Sequence, residues 1–212
     1  MADPVIKHPD YEITVGNAYF AGFTESSGTR SYDDVVGLEA IKSVGITKQK
    51  AEQTVYASGI TYNYTSRKTG SQITVNALEI PADLVRKYLG KTVSSKKGFA
   101  FDQTSDVLPE FAFGYSTEYS NGDQVFKWFP RCKLIDHNPS SETATESPVE
   151  PDKSYTILAM PYNKLIEVEY DQSQVDTTTK VPLSEETFFT QVIDKVDHEK
   201  VDSETAVSGG GE

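Results

Sequence analysis

EFAFGYSTEYSNGDQVFKWFPRCKLI, residues 110–135, is the stretch that decides the fold class. Phe111, Phe113, Tyr115, Thr117 and Tyr119 alternate with smaller residues, the period of a strand whose two faces see different surroundings. Asn121-Gly122 follows, a pair that tolerates positive φ and predicts a type I′ turn. Phe126, Trp128, Cys132 and Leu134 then alternate along a return strand. Pro130 interrupts that strand, which places it at a sheet edge or at a bulge, because proline donates nothing to a ladder. The stretch predicts an antiparallel hairpin, and hence a mainly β chain.

Working outward, Gln72 to Ala77 alternates too, with Ile73, Val75 and Ala77 on one face and Gln72, Thr74 and Asn76 on the other. The spacing predicts a short helix directly after it. Pro81 suits a first helical turn, Gly90 suits a C-terminal stop, and Leu84, Val85, Tyr88 and Leu89 share a face. Toward the N-terminus, Asn17 to Phe23 reads as a first strand broken by Ser26-Ser27-Gly28. Residues 41–58 read as one or two strands with loops, broken at Gly45 and Gly59. Toward the C-terminus, Asn138 to Asp152 reads as a surface loop, and strands resume at Tyr155–Pro161 and Leu165–Tyr170. Ser184-Glu185-Glu186 predicts an N-cap and acidic first turn, with Phe188, Phe189, Val192, Ile193 and Val196 continuing at helical spacing.

The expected fold is therefore mainly β (α+β): a β-sandwich or partial barrel flanked by one short α-helix, with a second C-terminal helix and extended loops and arms. The expected division is an N-terminal arm over 1–15, one domain over 16–196 and a flexible acidic C-terminal tail over 197–212. A chain of 212 residues supports one such domain without disulfides or metal. Aromatic residues make up 11% of it, which suits strands, where flat side chains pack well.

Charge narrows the function classes. The formal net charge is −12, and Glu167 to Glu212 alone holds twelve acidic residues against Lys180, Lys195 and Lys200, a balance of −9. Stable adhesion to nucleic acid is disfavoured, since that affinity comes from lysine and arginine displacing counterions. Cys132 is the only cysteine, so an internal disulfide and a cysteine-rich metal site are excluded, and a buried small hydrophobe is expected. The N-terminal MADPVIKHPDYEI lacks an apolar run, and no stretch approaches the roughly 18 apolar residues of a membrane span. Synthesis and folding in a cytosol are expected.

The motifs of catalysis do not assemble. His8, His137 and His198 show no metal-ligand spacing, and no nucleophile elbow or phosphate loop occurs. Asp33-Asp34 and Glu185-Glu186 read as a loop charge pair and a helix start, because glycosidase carboxylates need separation across a cleft. Lys96-Lys97-Gly98 and Arg67-Lys68-Thr69-Gly70 read as basic hairpin tips. Tyr56, Tyr62 and Tyr64, or Tyr115 and Tyr119, fit either a protein interface or core, or the stacking platform of a carbohydrate-binding module. No catalytic, cofactor-binding or metal residue is assigned, and no cofactor is expected.

Several blocks, in order, resemble a known family. They are Gly16 to Glu25 (GNAYFAGFTE), and Ile41 to Gly90, running from IKSVGITKQK to IPADLVRKYLG. Further on come Leu108-Pro109, Phe113-Gly114-Tyr115, the Asn-Gly hairpin and Phe129 to Leu134 (FPRCKL). Val149-Glu150-Pro151 followed by Ser154-Tyr155-Thr156 completes the series. Together they are similar to the major tail tube protein of long-tailed (siphovirus) bacteriophages, in particular the phi13-type major tail proteins, over roughly residues 15–195.

The resemblance implies a virion protein without catalysis, whose copies form hexameric rings that stack into a tube. That tube would surround a tape-measure protein, meet tail terminator and distal tail proteins, and later conduct double-stranded DNA without holding it. Residues 26–40 and 42–72, polar segments between strands, are the expected assembly loops. A small β-sandwich binding or adhesion module is the alternative, and it would be a monomer with an exposed aromatic platform.

Overall fold

The computed structural model describes residues 10–39, 41–93, 98–138, 153–175 and 181–196. In chain order these form β1 (Glu12–Ser26), β2 (Thr29–Tyr32), β3 (Val36–Leu38), β4 (Ile41–Ala57) and β5 (Ile60–Ala77). Then come α1 (Ala82–Tyr88), β6 (Thr92–Val93), β7 (Ala100–Phe101), β8 (Glu110–Tyr119) and β9 (Gln124–Asn138). The last elements are β10 (Lys153–Ala159), β11 (Val168–Asp171) and α2 (Glu185–Phe188). Of the loop expected from Asn138 to Asp152, Asn138 ends β9 and residues 139–152 lie outside the described residues, as do the tail over 197–212, His8, His198, Lys96 and Lys97.

One antiparallel sheet runs β2-β1-β8-β9-β10-β5-β4, with β3 added to β1 and β11 added to β9. Strands β6 and β7 pair separately. The large sheet curls until β1 and β4 approach within 8 Å between Cα atoms without pairing, which makes it a partial barrel. The mainly β expectation holds, with both short helices lying against the sheet.

The β8–β9 hairpin is the centre of the fold, and both of its faces are covered. Phe111, Phe113 and Tyr115 join Phe20, Ile73, Val75, Ile157, Leu84 and Tyr88 in the core inside the curl. Ala112, Phe126 and Trp128 join Ala21, Phe188 and Phe189 in a second core on the opposite face. Register explains how β9 serves both. Phe111 faces Cys132 but Phe113 faces Phe129, so Pro130 and Arg131 bulge opposite Ala112. One extra residue reverses the alternation. Phe126 and Trp128 therefore point to one core, and Phe129, Cys132 and Leu134 to the other. Pro130 is bulged and buried inside the sheet rather than at an edge.

The turn of this hairpin differs from the expected type I′. Of the Asn121-Gly122 pair only Gly122 has positive φ, at 89°. The Gly122 amide donates to the Tyr119 carbonyl and the Tyr119 amide to the Asp123 carbonyl, both at 2.9 Å. That pattern is a type I turn closed by a glycine bulge. The Asn121 side chain accepts from the Asp123 amide at 3.0 Å, a local bond that favours this form. Type I′ geometry appears instead at Ser27-Gly28 and Ser58-Gly59, where all four residues have positive φ.

Three further boundaries move. β1 begins at Glu12, so residues 12–15, read within the arm, already pair with β8. The segment 26–40, read as a loop, contains β2 and β3. The helix expected over 184–196 is a single turn, although Ser184 does cap it by accepting from the Thr187 amide. The Thr190 hydroxyl bonds back to the Glu186 carbonyl at 2.9 Å, and β-branched Val192 and Ile193 follow, residues stiff in a helix. Helix α1 is as expected: Leu84 and Tyr88 are buried, and Gly90 beyond it lies at φ +71°.

Candidate assembly surface

β4 and β5 pair along their whole lengths, from Ile41 opposite Ala77 to Ala57 opposite Ile60. The lower half belongs to the body, where Ile73, Val75 and Ala77 are fully buried and β10 covers the other edge of β5. Gly70 marks where the pair leaves it. A side chain there would meet the Ala159 carbonyl oxygen at 2.7 Å, so only glycine lets the strands pass this close. Beyond that point residues 47–56 and 60–69 are exposed on both faces. At a strand rise of about 3.3 Å per residue the arm reaches roughly 30 Å. Residues 42–72, expected as loop, are thus mostly a long hairpin, and Arg67-Lys68 lies mid-strand rather than at a tip.

Directly opposite residues share a face of a ladder. Thr54 and Tyr56, two apart on β4, share one face of the arm with their partners Tyr64 and Thr61. Tyr62 is the extra residue of a bulge, which puts Ile60 on the other face. These four large side chains are 55–76% exposed. The Tyr64 hydroxyl donates a hydrogen bond to Glu52, which raises the phenol above its ordinary value. Between residues 47 and 69 the arm also carries Lys48, Lys50, Arg67 and Lys68 against Glu52, a balance of +3 on a chain of −12. A two-stranded ribbon exposed on both faces is marginal in water, so this arm needs a surface to lie on.

The other candidate residues are placed differently. Tyr115 is buried in the core, where burial pushes its phenol up to about 12, and so it faces no ligand. His137 lies on β9 opposite Tyr155. Cys132 is fully buried, which pushes its thiol up and away from reactivity. Asp33 pairs with Lys87 at 3.0 Å. Glu185 accepts from Asn17, Tyr19 and Ser116 at 3.0, 2.7 and 2.8 Å, which fastens α2 across β1 and β8. Sequence reasoning read Glu185 as a helix start alone, because its partners lie more than sixty residues away. Among the described residues no three His, Cys, Asp or Glu side chains gather to hold a metal. No described helix is long and apolar enough to cross a membrane.

With this geometry in place, comparison with known protein families gives a match. The profile of a family described as phage tail tube protein matches residues 26–193, from the β1–β2 turn to the end of the second core. It does not separate out a phi13-type branch. No curated protein matches the chain.

Proposed function

The chain belongs to the phage tail tube protein family, as a structural subunit of the virion tail, and from that premise we propose that its copies close into hexameric rings joined by the β4–β5 arm. The stacked rings enclose the tape-measure protein during assembly in the host cytoplasm and form the conduit for DNA at infection. Tail terminator and distal tail proteins bound the tube at its ends. The domain over 16–196, extended by residues 12–15 that pair with β8, forms the ring body. Residues 1–9 and, once the rings close, 197–212 reach neighbouring copies.

One observation carries this reading: a basic, aromatic arm about 30 Å long, uncovered on both faces, stands on an acidic body. Head-to-tail assembly requires two different, complementary patches on one chain, and the opposite charges of arm and body supply that complementarity. The arrangement favours the tube over the binding-module alternative. Tyr115 is buried, and Tyr56 and Tyr64 share a face only across the bulge at Tyr62, on a ribbon exposed on both faces that gives a stacking platform no backing. Negative-stain microscopy of the concentrated protein tests the proposal. Rings or tubes are expected, whereas uniformly dispersed monomers would overturn it.

A further inference from the structure

A groove of about 360 Å³ opens at the root of the arm, lined by Lys48, Lys68, Lys164, Glu167 and Glu169 among others. Its charges do not balance. Glu167 pairs with Lys48 at 3.4 Å and with Lys127 at 3.3 Å, and Glu169 pairs with Lys127 at 2.7 Å. Lys68 and Lys164 have no ion-pair partner among the described residues, so two positive charges remain at the groove wall.

The backbone around Lys164 is a second signal. Tyr162 and Leu165 bridge each other, with amide-to-carbonyl bonds of 2.8 and 2.7 Å. Asn163 and Lys164 between them take φ of 48° and 68°. In such a two-residue turn the second position prefers glycine, and a lysine there is strained. Strain kept in a folded chain directs attention to what the side chain does.

The position of the C-terminal segment supplies the occupant. The Asn163 side-chain amide donates to the Asp194 carbonyl at 3.2 Å, so the described chain ends at Val196 beside the turn that bears Lys164. Residues 197–212 contain Asp197, Glu199, Asp202, Glu204 and Glu212 against Lys200. The first four acidic residues fall within eight positions of Val196, a reach of up to about 26 Å in extended chain. We propose that the groove is an acidic-peptide site and that it holds the carboxylates of residues 197–204 of the same chain on Lys68 and Lys164. The tail thereby shields the cationic root of the arm in the free subunit. This is a property of the isolated chain and does not depend on the tube reading.

Carbodiimide cross-linking of the full chain at low concentration tests it, since that reagent joins only touching amines and carboxylates. An equal mixture of isotopically heavy and light chains separates links within a chain from links between chains. The expected result is same-chain links from Lys68 or Lys164 to residues 197–204, lost on going from about 0.1 M to about 1 M salt as the screening length falls from about 10 Å to about 3 Å. The Lys127–Glu169 pair serves as the internal standard. Its linking without any link to 197–204 would overturn the proposal, and so would links found only between heavy and light chains. A Lys164→Gly chain avoids the risk of misfolding: it is expected to be more stable, while the amide resonances of 197–204 move to their high-salt positions. Unmoved resonances in that chain and in Lys68→Gln would equally overturn the assignment.

Discussion

The guanidinium of Arg30 lies 3.4 Å from the centre of the Tyr162 ring, with the Phe23 ring on its other side at 3.8 Å. Its side chain is 2% exposed. It also donates to the Pro130 carbonyl at 3.3 Å, so one residue of β2 ties the β1–β2 hairpin to the bulge in β9. Glu25 at 3.2 Å and Glu110 at 3.6 Å neutralise it. Arg30→Ala removes the desolvated cation between the two rings and the tie to Pro130, while Glu110 keeps Arg131 and Glu25 is half exposed. It is expected to cost about 2 kcal/mol in denaturant unfolding. Arg30→Lys keeps the charge but loses the planar stacking, and is expected to remain at least about 1 kcal/mol below the parent. A loss under about 0.5 kcal/mol for the alanine variant, the range of ordinary surface substitutions, would show that the stack carries little.

The turn at Gly122 is the next test. With φ at 89°, a β-branched side chain there meets its own backbone. Gly122→Val is expected to cost about 1–2 kcal/mol. Gly122→Asn should cost less, since asparagine tolerates this region. Equal thermal stability of the valine variant would contradict the turn described here.

Helix α1 closes the inner core through Leu84 and Tyr88. Leu84→Ala is expected to lose about 2–5 kcal/mol, the range for a buried leucine. A chain that loses under about 0.5 kcal/mol in urea unfolding would place that face in solvent.

Acid should act partly through Glu110. Arg131 donates to it twice, at 2.9 and 2.8 Å, and this fork holds the carboxyl below its ordinary value. A depressed carboxyl contributes stability above the unfolded value, about 4.3, and that contribution is lost as pH falls through the folded value. Unfolding midpoints of Glu110→Gln are therefore expected to fall less than those of the parent between about pH 5 and about pH 3. Parallel curves would contradict the assignment.

Some of this was legible in the sequence. Ile73, Val75 and Ala77, the α1 face and the Ser184 cap were readable because local pattern and burial agree there. The bulge at Pro130-Arg131 hid the two-core arrangement, since a single extra residue exchanges faces without changing composition. The sequence points to 42–72 for assembly and to strand within 41–58, but not to one continuous paired arm. Its strands bury nothing within the chain, and the one alternation they carry, Ile60, Tyr62 and Tyr64 between Thr61, Asn63 and Thr65, reads equally as an exposed polar run. The Ser58-Gly59 turn was the available signal, a two-residue connection between Thr- and Tyr-rich runs. The Glu185 cluster was not legible, because the fold alone brings Asn17, Tyr19 and Ser116 to it.

The central claim is that the β4–β5 arm joins subunits and contributes little to the fold of one. Lys50 and Lys68 are cross-strand partners, so removing 51–57 and 60–67 leaves Ser58-Gly59 as a turn between paired positions. Sedimentation of this shortened chain beside the parent, with circular dichroism on both, is the most direct measurement. The account predicts β spectra of folded protein from each, fast-sedimenting rings or tubes from the parent, and only monomer from the shortened chain. Normal tubes from the shortened chain, or tubes lost on His137→Ala while the shortened chain still assembles, would contradict it.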